Sequence, residues 1–182
     1  MAKKSTRNTR GRIVSAAWKL FYEQGYEDTT VEEIIELSGT SKGSFYHYFD
    51  GKDALLSTLS SLFDEKYEEL TGLLTPEMTA MEQLLFLNRE LFHMIEDSIS
   101  LDLLARLYST QLTTNGEKHL LDHNRIYYKL LRKIIAKGQA EGQLSSRSNV
   151  NEMVKLYALC ERALLYDWCL CAGEYALTEY SA

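Results

Sequence analysis

The helix punctuation between Gly25 and Gly51 constrains this chain more than any other feature. Thr30 and Glu33 have the spacing of a capping box, in which each side chain satisfies a backbone N–H that the first helical turn leaves free. Val31, Ile34, Ile35 and Leu37 then supply one apolar face of a short helix. Gly39-Thr40 interrupts it, Ser41 is placed to cap another helix through about Phe49, and Asp50-Gly51 interrupts again. Upstream, Ile13, Ala17, Leu20 and Phe21 share one face of a helix from about Thr9 to Gln24, and Gly25 follows where a closing glycine belongs. Helices this short bury their apolar faces only against one another. The tight turn before Ser41 makes the second and third a helix-turn-helix.

The remainder also reads as helix. Pro76 is the one proline of the chain, and no segment alternates as a strand does. Helices are expected from about Lys52 to Leu74, Pro76 to Asp97, Ser100 to Gln111, Glu117 to Ala140 and Asn149 to Ala172, with a final short turn over Glu174–Tyr180. The expected fold class is all-α: an N-terminal three-helix domain with the helix-turn-helix over 1–51, and a larger helical domain over 52–182. Net charge is −6, yet residues 1–20 carry Lys3, Lys4, Arg7, Arg10, Arg12 and Lys19 and no acid. That asymmetry points to a basic arm or module on a body of another kind. No apolar run is long enough for a membrane span, and the basic N-terminus lacks the apolar segment of a secretory signal. A cytoplasmic protein is expected, with Cys160, Cys169 and Cys171 as buried thiols.

Five consecutive rings occupy the third helix. Successive side chains turn by about 100°, so Phe45 and Phe49 share a face and should point to the core. Gly43 and His47 then point nearly the opposite way, Ser44 lies on one flank, and Tyr46 and Tyr48 lie on opposite flanks. A helix in the DNA major groove presents its outer face to base edges and its flanks to phosphates. Gly43 permits close approach, Ser44 and His47 suit hydrogen bonds to bases, and Lys42 has the reach for a guanine or a phosphate. Lys52, at the start of the next helix, sits where an anion is favoured.

The run TTVEEIIELSGTSKGSFYHYFDGKDALL, from Thr29 to Leu56, resembles the DNA-binding signature of the TetR family of bacterial transcriptional regulators. The likeness covers the paired threonines, the small turn, Ser-Lys-Gly, the aromatic core and the following lysine with Leu-Leu. It implies phosphate contacts from Thr30, Ser41, Tyr46, Tyr48 and Lys52, with Lys42, Gly43, Ser44 and His47 near bases. It also implies a homodimer through the last two long helices, double-stranded operator DNA as partner, and a small-molecule inducer in the helical body. Ile35 stands where the family usually has alanine, and Thr40 where valine is common.

The stripe Leu156, Cys160, Leu164, Trp168 and Cys171 is the expected subunit interface, with internal core as the alternative. Candidate ligand-lining residues are Phe63, Tyr67, Phe86, Phe92, His93, Tyr108, Tyr127, Tyr128, Tyr157 and Tyr166. Abundant tyrosines favour an apolar pocket with hydroxyl handles. His119 and His123 have i, i+4 spacing, but nothing completes a metal site, so neither metal nor cofactor is expected. No nucleophile–base pairing or phosphate loop appears, which disfavours an enzyme. The resulting expectation is a ligand-responsive repressor. The alternatives are a regulator controlled by a partner protein, and a helical enzyme or sensor that carries the helix-turn-helix as a module.

Overall fold

The computed structural model describes residues 2–113 and 118–181, with side chains over 9–113 and 118–180. The side chains of Lys3, Lys4 and Arg7 therefore lie outside the described set. Among the described residues every regular element is a helix, and the chain divides into two compact units, Met1–Leu59 and Ser60–Ala182.

The first unit holds α1 (Ala2–Gln24), α2 (Val31–Ser38), α3 (Lys42–Tyr48) and α4 (Lys52–Leu56). The capping box at α2 forms as the spacing predicts: Thr30 Oγ1 accepts from Glu33 N–H at 3.2 Å, and Glu33 Oε2 accepts from Thr30 N–H at 2.7 Å. Gly39 ends α2 in the left-handed region at φ 60°, and Ser41 caps α3. Ile13, Ala17, Phe21, Ile34, Phe45, Phe49, Leu55 and Leu56 are the buried side chains of this unit's core. The helix expected from Lys52 to Leu74 is broken. The hydroxyls of Ser57 and Thr58 donate back to the carbonyls of Ala54 and Leu55 at 2.7 and 2.6 Å, and this local bonding competes with the helical ladder. The chain turns there and resumes as α5 (Leu59–Thr71). The units accordingly divide one short helix beyond the Gly51/Lys52 boundary expected from the sequence.

The second unit comprises most of α5, then α6 (Ala80–Ser98), α7 (Leu101–Thr113), α8 (Ile126–Ala140) and α9 (Val150–Leu170), with short 3₁₀ turns at His119–Leu121 and Leu177–Ser181. Helix α6 starts at Ala80 and not at Pro76. Thr79 and Glu82 form a capping box, while Thr75-Pro76 is spent in a preceding turn. Helix α8 starts at Ile126 and not at Glu117, which lies outside the described residues. Asp122 accepts the N–H groups of Asn124 and Arg125, a turn that ends the 3₁₀ segment. His119 and His123 therefore do not share a helical face; His123 stacks on Tyr128 at 4.6 Å.

Helix α9 packs on α8 and α7, with Val154, Ala158, Glu161, Leu165 and Trp168 turned into the core. The expected interface stripe does not run along one face. Each i, i+4 step overshoots a full turn by about 40°. Leu156 and Cys160 are exposed, Leu164 is half-buried, Trp168 is core and Cys171 caps the helix end. The outward apolar face is instead Leu156, Leu159, Ala163, Tyr166 and Leu170. The cysteines are not buried thiols either: Cys160 is exposed, and Cys169 and Cys171 are half-buried.

Gly138 of α8 admits the closest approach in this unit. A Cβ there would stand 2.5 Å from Ala80 Cβ and 2.9 Å from Leu144 Cδ1. Gly138→Ala should therefore destabilise the protein by about 1–3 kcal/mol despite the better helix propensity of alanine. A lower midpoint in urea unfolding checks this.

Candidate nucleic-acid interface and ligand cavity

Phe45 is fully buried and Phe49 nearly so, and these two rings fix the rotation of α3. Lys42, Gly43, Tyr46 and His47 are left exposed, with Ser44 and Tyr48 half-buried beside them. That is the division the helical geometry predicts. The Tyr46 ring meets Phe45 edge-on at 5.3 Å, and His47 meets Tyr48 edge-on at 4.7 Å, so the outer rings brace one another. Lys42 pairs with Glu32 at 3.5 Å, but both side chains are about seven-tenths exposed, so water weakens the pair and the ammonium stays available.

Four of the nine expected DNA-contact residues are tied down locally. Thr30 gives its hydroxyl hydrogen to Glu33 Oε2 at 2.8 Å, which leaves no donor for a phosphate. Ser41 and Ser44 share a hydrogen bond at 2.9 Å, so only one of their two hydroxyl hydrogens is left over. Lys52 departs furthest from expectation. Its Nζ donates to the carbonyls of Tyr26, Glu27 and Thr29 at 2.6, 3.2 and 2.9 Å, and it sits 4.3 Å from the Tyr26 ring centroid. All three N–H donors of the ammonium are thus turned onto the α1–α2 connection, and Lys52 closes that loop instead of facing outward.

Sequence reasoning missed Arg12. From α1 its guanidinium donates to the carbonyls of Ser38, where Nε contributes at 2.9 Å, and of Gly39 at 2.6 Å. It thus closes the end of α2 and holds the turn into α3. Only its spacing from the helix-turn-helix distinguished it, and no local motif marks that. Arg10, exposed, lies 5.4 Å from the Phe49 ring.

The second unit contains a small cavity, partly open to solvent. Of the expected lining residues, Phe63, Tyr67, Tyr108 and Tyr127 line it. Phe92 is core, His93 and Tyr166 are exposed, Phe86 lies half-buried beside Arg89, and Tyr128 is buried with its hydroxyl on Leu120 O. Tyr157 stands behind the wall, donating to Leu84 O at 2.9 Å. Leu91, Leu120, Arg125, Glu161, Arg162 and Leu165 complete the lining and were not anticipated.

Glu161 is the cavity's chemical centre. Asn88 donates to its Oε1 at 2.9 Å and Tyr127 to its Oε2. Burial raises its carboxyl above the ordinary 4.5, against the lowering effect of those donors and of Arg162. Tyr157 also hydrogen-bonds to it and adds to that lowering effect. The signal for Glu161 was in the sequence, since it stands in phase with Val154, Ala158, Leu165 and Trp168. Arg125 is spent on Asp64, with contacts at 3.0 and 3.1 Å, and on Ser60 O.

Residues 13–59 match the family described as bacterial regulatory proteins, tetR family. That match covers the helix-turn-helix and the helices around it. The chain is 34% identical over 68 residues to the HTH-type transcriptional regulator TtgR of Pseudomonas putida, covering 37% of this chain and 32% of the relative. It is 36% identical over 62 residues to QacR of Staphylococcus aureus, covering 34% and 33%. The chain spans about a third of the length of the curated relatives it matches first. YvdT of Bacillus subtilis is similar over more, 26% identical over 80% of this chain and 75% of its own length. The fold is similar to that of Thermus thermophilus FadR, a TetR-family repressor solved with lauroyl-CoA (TM-score 0.78, 25% identity, 94% and 89% covered). It also resembles Bacillus subtilis FadR solved with stearoyl-CoA (TM-score 0.67, 22% identity, 94% and 93% covered).

The raised carboxyl of Glu161 makes the stability of the body depend on pH. The folded protein holds this proton more tightly than the unfolded chain, so the contribution is complete below pH 4.5 and is lost as pH rises through the folded value. The stability difference between parent and Glu161→Gln should therefore shift against the parent as pH rises from about 4.5 to 8. Urea unfolding of both proteins at a series of pH values measures it.

Proposed function

We propose that the chain is a ligand-responsive transcriptional repressor that binds a near-palindromic operator as a homodimer. The observation that carries this is the outer face of α3, where Lys42, Gly43, Ser44, Tyr46, His47 and Tyr48 stand over the buried Phe45 and Phe49. In a major groove, His47 and Ser44 meet base edges, Tyr46 and Tyr48 grip phosphates on either wall, and Lys42 reaches either target. Lys52 and Arg12 hold the loop and turn around this face, and Thr30 starts α2; their roles are to position.

Two copies of this face are needed to read two half-sites. The second copy is brought by the outward face of α9, where Leu156 is 63% and Leu170 66% exposed. A helix apolar on both sides is buried on both sides. The cavity in the body receives the inducer, as the solved Thermus thermophilus relative holds an acyl-CoA. Ligand then favours a body conformation in which the two recognition helices no longer match adjacent grooves, and affinity falls because both sites must be engaged together. No helix among the described residues is long and apolar enough to cross a membrane.

Tyr46→Phe should weaken binding to all duplexes alike, whereas His47→Ala should alter the preferred sequence more than the affinity. Selection from random duplex DNA, followed by titration at fixed salt, separates the two; parent-like behaviour of both variants removes α3 from the groove. Replacing Leu156 and Leu170 together by lysine should give a monomer by analytical ultracentrifugation and abolish tight operator binding.

A further inference from the structure

Tyr67 is buried in the wall of the cavity, and its hydroxyl has no hydrogen-bond partner. It is the one buried side-chain polar atom of the described residues left in that condition. Buried hydroxyls are otherwise paired, because an unpaired one forfeits the bonds it made to water. Beside it in the lining is Glu161, whose carboxyl bonds to Asn88, Tyr127 and Tyr157 and, with about four acceptor sites in all, has room for one further donor. The Tyr67 and Tyr127 rings lie 5.0 Å apart, and Tyr127 bonds directly to Glu161, so the orphan hydroxyl and the carboxyl belong to one corner of the cavity.

The remaining charges decide the occupant's charge. Arg125 is neutralised by Asp64, and Arg162 lines the cavity together with the one carboxyl of the lining, Glu161, and acts on it electrostatically. The wall therefore presents no surplus of either sign. A cation would meet the guanidinium of Arg162, and an anion would meet Glu161. An acyl chain would leave the Tyr67 hydroxyl as unpaired as before. The rings of Phe63, Tyr67, Tyr108 and Tyr127 suit a flat aromatic body.

We propose that the cavity binds a small neutral phenol, whose hydroxyl accepts a hydrogen bond from Tyr67 and donates one to Glu161. A single hydroxyl supplies both an acceptor and a donor, which is the combination this corner lacks. The proposal rests on the ligand-responsive reading above and specifies its ligand. It separates this chain from the acyl-CoA complexes of its structural relatives.

The test is calorimetric titration of the full chain with 4-ethylphenol, 4-ethyltoluene, 4-ethylbenzylamine, 4-ethylbenzoate and lauroyl-CoA, on the parent and on Tyr67→Phe. Because the Tyr67 hydroxyl has no partner, the variant should fold and melt at or above the parent temperature. The parent should bind 4-ethylphenol at least ~10-fold more tightly than each other probe. Tyr67→Phe should lose about that factor for 4-ethylphenol and bind 4-ethyltoluene as the parent does. A variant that binds 4-ethylphenol undiminished overturns the proposal. Tighter binding of the amine, the benzoate or lauroyl-CoA, with release of operator DNA, overturns the phenol and leaves the ligand-responsive reading standing. Failure of every probe to bind overturns the phenol and removes the support that the cavity lends to an inducer.

Discussion

Burial of Phe45 and Phe49 is the constraint on which the first unit depends. Helix α3 is only seven residues long and could not persist alone in water. It exists because two rings one turn apart are buried in the core with Ile13, Phe21 and Ile34. Burying one such ring contributes about 1.5–3 kcal/mol, more than any single cap or surface ion pair in the unit. Once those rings are seated the rotation of α3 is settled, and with it the outward direction of Lys42, Gly43, Tyr46 and His47. Recognition chemistry and core packing are therefore set by the same seven residues.

The first unit was legible in the sequence because its signals are local. A capping box, a closing glycine and a pair of phenylalanines one turn apart act over a few residues, so spacing alone reports them. The features that escaped are those made by side chains reaching across the chain. Arg12 holds carbonyls in another helix, and Lys52 turns its ammonium onto carbonyls of the α1–α2 connection, more than twenty residues away in sequence. Nothing in the neighbouring residues announces either. Thr30 was read correctly as a cap; that same role consumes the hydroxyl the phosphate reading needed.

The body was read less well for a related reason. Helix starts were misplaced where two signals competed. Thr79 with Glu82 overrode Pro76, and the Asp122 turn overrode the apolar pattern ahead of Ile126. The α9 stripe was drawn with a step of four residues, while the helix turns every 3.6 or so. Over twelve residues that difference carries Trp168 from the surface to the core. Tyrosine abundance points to a polar-handled cavity, and three tyrosine rings line one. Glu161 was overlooked because its charge drew attention away from its phase, although an acid among core positions is the more informative observation.

The inward turn of Lys52 has an electrostatic consequence for the whole unit. A protein that docks on a polyanion gains affinity by releasing the counterions its cations displace, one for each charge brought to the phosphates. A lysine whose ammonium is clasped by three carbonyls brings no such charge. The formal positive count of the motif therefore overstates the ionic part of the operator contact proposed above, since Arg12 and Lys52 are both turned onto backbone carbonyls. In that proposed contact more of the grip would come from uncharged hydroxyls and rings, a mode less sensitive to ionic strength than the basic opening of the sequence suggests.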